Sequence, residues 1–260
     1  MAIDMQDLIV TQELSLSVIQ QRTQRIHAQV LRNSVHADGE NFTAIHPADL
    51  ERMFDLYDRS FFERGCRRLL GEAPLTFRLS KRMTSVAGST TRTQKKNRRK
   101  GVTKARYEIT ISTTLLFQTF REQTRPIVVN GIRCRNRMDA LQRVMEHELV
   151  HLLEMLIWTY SRCSAKRFQS IAYRFFGHTD YTHQLITPCE RAMSKYGIRS
   201  GDRVSFRFDG RHLVGIVNRI TRRATVLVED AKGECYSDGK KYQKFYVPLT
   251  LLKAVDRERT

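Results

Sequence analysis

The ten residues MEHELVHLLE, 145–154, constrain what this chain can fold into more than any other stretch. They carry two histidines and three glutamates inside an apolar segment of helical period. Met138, Leu141, Met145, Leu149, Leu152 and Leu156 make one stripe, and Val144, Val150, Leu153 and Met155 spread apolar groups around the remainder. Asn136, with Asp139 three residues later, supplies a cap at the start. A helix that is hydrophobic nearly all round is a buried helix. Unpaired ionisable groups in such a place cost several kcal/mol each. Either these side chains reach water, or something pairs with them.

His147 and His151 lie four apart, so their imidazoles point the same way one turn apart. That separation lets two nitrogens meet one zinc ion at about 2.0–2.1 Å each. Glu148, beside the first histidine, can reach a water bound there. The pattern is H-E-x-x-H, in which zinc activates the water and the glutamate takes its proton as general base. The opposing reading is a pair of core histidines satisfied by hydrogen bonds. A catalytic zinc takes a third protein ligand and keeps one position open. Glu154, His178, His183 and Glu190 are the downstream candidates. Glu154 is too far along the same helix. FFGHTDYTHQL, 175–185, is the better source, because Thr179 and Asp180 read as an N-cap. His178 then sits in a turn at a helix entrance, free to lean over the metal. His183 falls inside that helix, as a supporting or merely surface residue. A fourth ligand, His183 or Glu154, would instead close the site and make it structural.

The rest of the chain reads as α+β. Residues 12–32 carry weak helical periodicity. A firmer helix starts at Pro47 and presents Leu50, Met53, Phe54, Tyr57 and Phe61 on one face. LTFRLSKRM (75–83) and RYEITIST (106–113) alternate like strands, and Asn130-Gly131 between apolar residues marks a hairpin. After Gly197 the texture changes to short alternating runs separated by turn residues, the spacing of a small all-β barrel. The expected layout is an N-terminal helical or mobile arm over 1–45, a catalytic domain over 46–195 with its H-E-x-x-H helix on a small sheet, and a barrel over 197–260.

Charge bears on partners. The chain carries 45 Lys and Arg against 27 Asp and Glu, a formal net charge of +18. Such an excess favours polyanions, nucleic acid first. From Arg78 to Arg106 there are eleven basic residues and no acid. This run is either a solvated hairpin loop or a phosphate-contacting one using Arg92, Lys95, Lys96, Arg98, Arg99, Lys100 and Lys104. No apolar run approaches the roughly 18 residues a membrane span needs. The N-terminus lacks the basic region of a secretory signal. Five dispersed cysteines without a CxxC pair read as reduced thiols in a cytoplasmic protein, with neither disulfides nor a cysteine zinc site.

LERMFDLYDRSFF, FRLSKRMTSVAG, YEITISTTLL, EHELVH and the later Gly-His together resemble the SprT-like family, which includes the Spartan proteases of DNA–protein crosslinks. The likeness covers about residues 47–190. It implies a zincin-like fold and a zinc metallopeptidase, with Zn2+ held by His147, His151 and His178 and with Glu148 as base. It also implies protein substrates on or near DNA or RNA. Two departures stand out. The gap from His151 to His178 is longer than usual, and a module resembling an SH3-like or Tudor-like barrel replaces the cysteine zinc ribbon of many bacterial members. The rival expectation is a non-enzymatic nucleic-acid-binding protein with a structural zinc.

Overall fold

The computed structural model describes residues 5–96, 103–121 and 125–255. They form a mixed α+β structure that divides into two units between Leu185 and Ile186. The division falls earlier than the change of texture near Gly197, because the helix that precedes this glycine shares the second unit's core. None of the helices is long and apolar enough to cross a membrane, among the described residues.

The first unit begins with helices α1 (Met5–Thr11) and α2 (Leu16–Asn33). The expected arm is thus a capped, amphipathic helix: Ser15 Oγ accepts from Val18 N, and Ile19, Ile26 and Val30 are buried. Helix α3 (Pro47–Phe62) starts at a capping box of His46 and Asp49, with Pro47 at its first position. Its anticipated stripe, Leu50, Met53, Phe54, Tyr57 and Phe61, is almost completely buried. Helix α4 (Gly65–Leu70) follows.

Next comes a three-stranded sheet of β1 (Leu75–Ser80), β2 (Gly88–Lys96) and β3 (Thr103–Ser112), in the order β1-β3-β2. Strand β1 runs parallel to β3 and β2 antiparallel to it. Tyr107, Ile109 and Ile111 turn one face of β3 inward. The basic segment is therefore more strand than loop: pairing runs out to Lys95↔Lys104 and Lys96↔Thr103. Its Thr- and Gln-rich strand lacks the apolar alternation that marks β3, which hides it from a pattern search. Arg98, Arg99 and Lys100 lie outside the described residues, as do the side chains of Lys95, Lys96 and Lys104.

Helix α5 (Thr113–Thr119) leads to the hairpin β4 (Ile127–Val129) and β5 (Ile132–Cys134). Asn130 and Gly131 turn it with φ of 53° and 80°, as a two-residue primed turn requires. A Cβ at Gly131 would also strike Thr179. Helix α6 (Arg137–Trp158) carries the opening stretch, capped by the Asn136 side chain on Asp139 N. It lies against β2 and β3 on one side and α3 and α7 (Lys166–Phe176) on the others. Each fully buried leucine on it contributes about 1.5–3 kcal/mol, which offsets the cost of burying its carboxyl groups.

The second unit holds α8 (Pro188–Tyr196) and strands β6 (Arg203–Phe208), β7 (Arg211–Ile220), β8 (Ala224–Cys235), β9 (Lys241–Val247) and β10 (Lys253–Ala254). The antiparallel order is β10-β6-β7-β8-β9. Register shifts at Val217/Arg219 and Glu229/Glu234 bend the long strands. Val204, Val217, Val226 and Val247 then share one core with Ala192 of α8 and Leu249. The expected strands are present.

Candidate metal centre

The three glutamates of the opening stretch are all buried, at 0%, 3% and 0% exposure for Glu146, Glu148 and Glu154. Their surroundings differ in a way that decides their roles. Glu146 accepts from Tyr57 Oη at 2.6 Å and from Arg143 Nη1 at 2.8 Å, and it meets His178 Nε2 at 2.9 Å. Glu154 accepts from Ser161 Oγ and from Arg167 Nε, both at 2.6 Å. Each therefore has an arginine as counter-charge. Glu148 has the hydroxyl of Thr90, 2.8 Å from Oε2, and no cation among the described residues. Burial pushes its carboxyl up to about 8, against the lowering effect of Thr90.

His147 and His151 face each other with their Nε2 atoms 3.2 Å apart. Two nitrogens on one tetrahedral zinc are separated by about 3.3 Å, so the pair is already spaced for one ion. Burial lowers both imidazoles, His147 to about 3, with His151 a smaller cause, and His151 to about 4. Both are thus neutral with a lone pair to give, the form a metal takes up. Phe168 of α7 packs on both rings, at 4.9 and 4.5 Å between centroids.

The third donor beside this pair is Cys163, half-buried in the loop after α6. The donor atoms of His147, His151 and Cys163 all lie within 4.8 Å of one another. The loop reverses because Thr159 ends the helix in the left-handed region, with φ of 63°. Two imidazoles and one thiol are a donor set that suits zinc, and the residues present fit the ion.

His178 departs from its expected place. It is buried with its Nε2 on Glu146, outside the three-donor group. The helix expected after Thr179-Asp180 does not form. The Asp180 carboxylate accepts from the backbone N of Tyr181 and Thr182, closing a turn. The segment then adds itself to the β4–β5 hairpin: Asn130 N donates to Thr182 O, Gln184 N to Val128 O, and Val129 bridges His183. The same Asp serves a cap or a turn, and the unpaired hairpin edge decides for the turn.

That bridge puts His183 on the wall of a cavity of about 350 Å³ whose floor holds His147, Glu148 and His151. Cys163 lines it too, as do residues 86–90, where edge strand β2 begins. Sequence reasoning missed Cys163 by weighing cysteines only as pairs; its position in the first loop after the two histidines was the available signal. Glu190 lies in the second unit. Arg92 is half-buried, and its Nε has no hydrogen-bond partner among the described residues.

No protein-family model matches the chain, and no curated protein or solved structure is significantly similar to it.

Proposed function

We propose that this chain is a zinc-dependent metallopeptidase of the SprT-like type, with Glu148 as general base and His147, His151 and Cys163 as metal ligands. The observation that carries the reading is the contrast among the buried glutamates. Two are neutralised by arginines, and the third has no cation among the described residues while lining one cavity with two neutral imidazoles and a thiol. A divalent cation in that place would stabilise the ionised form of Glu148. Zinc would supply an activated water, its pKa lowered towards about 7, and would polarise the scissile carbonyl.

The chain's own residues do the rest. Thr90 holds one oxygen of Glu148, leaving the carboxylate to take a proton from water and return it to the leaving amine. The site lies beside strand β2, which has no second strand partner among the described residues and can add an extended peptide along that edge. That favours protein substrates over small amides. The net charge and the basic β2–β3 hairpin support work on DNA or RNA, held through phosphates. The bent five-stranded sheet of the second unit supports an SH3-like barrel that assists this.

Metal analysis after exchange into zinc-free buffer, paired with a casein-type proteolysis assay, tests the reading. One zinc per chain with hydrolysis that Glu148→Gln abolishes is the expected outcome. A second reading draws on His183, which lines the same cavity: as a fourth ligand it would close the site and make zinc structural. Stoichiometric zinc without hydrolysis of any protein would favour it.

A further inference from the structure

Behind His151 runs a chain of hydrogen bonds that the reaction above does not use. His151 Nδ1 lies 2.7 Å from Ser161 Oγ, Ser161 Oγ donates to Glu154 Oε2 at 2.6 Å, and Arg167 Nε donates to Glu154 Oε1 at 2.6 Å. Arg167 is itself placed by Trp158, its guanidinium 4.3 Å from the ring centroid, and by Tyr160 O at 3.2 Å. Glu154 has no exposed surface, whereas Arg167 reaches solvent.

The direction of these bonds follows from the groups. A carboxylate paired with arginine accepts only, so the single hydroxyl proton of Ser161 goes to Glu154. Ser161 Oγ then has lone pairs alone for His151, and the Nδ1 of His151 must bear the hydrogen. A neutral imidazole has one N–H. Its Nε2 therefore carries the lone pair, on the side facing His147. Ser161 and Cys163 also belong to one loop, so the anchor that orients the ring also holds the segment that bears the thiol, whose donor atom lies within 4.8 Å of the two histidines' donors.

We infer that Ser161 and Glu154 are positioning residues that lock His151 in its Nδ1–H tautomer and fix the loop bearing Cys163, thereby raising metal affinity. The purpose of the lock rests on the metal-centre reading; the tautomer does not. Partners of this kind behind a metal-bound histidine are worth about 10–100-fold in affinity.

The test uses the full chain, nitrogen-15-labelled and stripped of metal. Long-range proton–nitrogen correlation spectra report the tautomer of His151, assigned by its absence in His151→Asn. The wild-type protein is expected to show Nδ1–H, and Ser161→Ala a mixture of both tautomers with zinc binding weakened about 10–100-fold. Ser161→Thr, which keeps the hydroxyl, is expected to restore both readouts. Glu154→Gln, which keeps an acceptor but loses the charge, should fall between. An Nε2–H tautomer in the wild-type protein, or an unchanged tautomer and zinc affinity in Ser161→Ala, overturns the inference. A wild-type chain that shows the lock but takes up no zinc refutes the metal centre and, with it, the purpose of the lock, while leaving the hydrogen-bond chain standing.

Discussion

Gly88 and Glu148 are packed so closely that no side chain fits between them. A Cβ at residue 88 would lie 2.8 Å from Cγ of Glu148 and 2.8 Å from Cγ1 of Val144, and nearer still to the carboxyl oxygen Oε1. The glycine opens edge strand β2, and Thr90, two residues on, bonds the other oxygen. The strand thus clamps the carboxyl from two sides. Gly88→Ala is expected to push the carboxyl off its seat, at a cost of about 1–3 kcal/mol in stability. Hydrolysis should fall by about 10²-fold or more, since a displaced base loses most of its advantage. Zinc content should be unchanged. Full activity in a folded Gly88→Ala variant would contradict the clamp.

The metal-free protein should show a stability maximum near neutral pH that Glu148 helps to shape. Its folded carboxyl sits at about 8, above the ordinary 4.5. Between those values the unfolded chain has released the proton and the folded chain keeps it, so stability falls as pH rises through the window. His147 and His151, at about 3 and 4 against 6.5, act in the opposite sense. Their contribution is complete above 6.5 and is lost as pH falls towards 4 and 3. Glu148→Gln removes the alkaline limb alone. Urea midpoints of the chelator-treated variant should therefore stay level from pH 6.5 to 8 while the wild-type values decline. Parallel profiles would show that the Glu148 carboxyl is not held neutral.

Helix α6 was legible because its apolar period, its Asn136 cap and its H-E-x-x-H spacing are all local. The hairpin at Asn130-Gly131 was legible for the same reason. What escaped depends on distant partners. Nothing near residue 178 announces that Glu146, 32 residues back along the chain, holds His178. Nothing near Asp180 announces that a hairpin edge will claim the next three residues in place of a helix. Cys163 was within reach, since the loop that carries it begins where α6 ends. Of the arginines that partition the three glutamates, Arg143 stands three residues before Glu146 on α6, a spacing the sequence offers, whereas Arg167 reaches Glu154 from α7, which no local spacing marks.

The nucleic-acid expectation yields a salt test. Neutralised phosphates release condensed counterions, so binding through about six contacts should weaken roughly a thousandfold between 50 and 200 mM salt. Changing Lys95, Lys96, Arg98, Arg99 and Lys100 together to glutamine should flatten that slope and leave zinc content alone. A wild-type chain that binds neither DNA nor RNA at low salt, or a slope unaltered in the variant, would remove the hairpin from the interface.

Cys163 and His178 should separate cleanly when each is replaced by alanine. Cys163 is half-buried in a loop, and its backbone carbonyl, which alanine keeps, accepts from Gln169 Nε2, so Cys163→Ala should fold with little loss of stability. It removes a direct metal donor, and zinc affinity should fall by more than the 10–100-fold that loss of an indirect partner costs. His178 is buried against Glu146 and the Phe176 ring. His178→Ala takes one hydrogen bond from a buried carboxylate and leaves a void, for about 2–4 kcal/mol in stability. Arg143 and Tyr57 remain to hold Glu146, so the fold should survive at low temperature. In that folded state the variant should retain close to one zinc per chain. Thermal unfolding and metal analysis of the two proteins side by side decide the assignment. Loss of zinc from folded His178→Ala, with Cys163→Ala still metal-loaded, would return His178 to the ligand set and remove Cys163 from it.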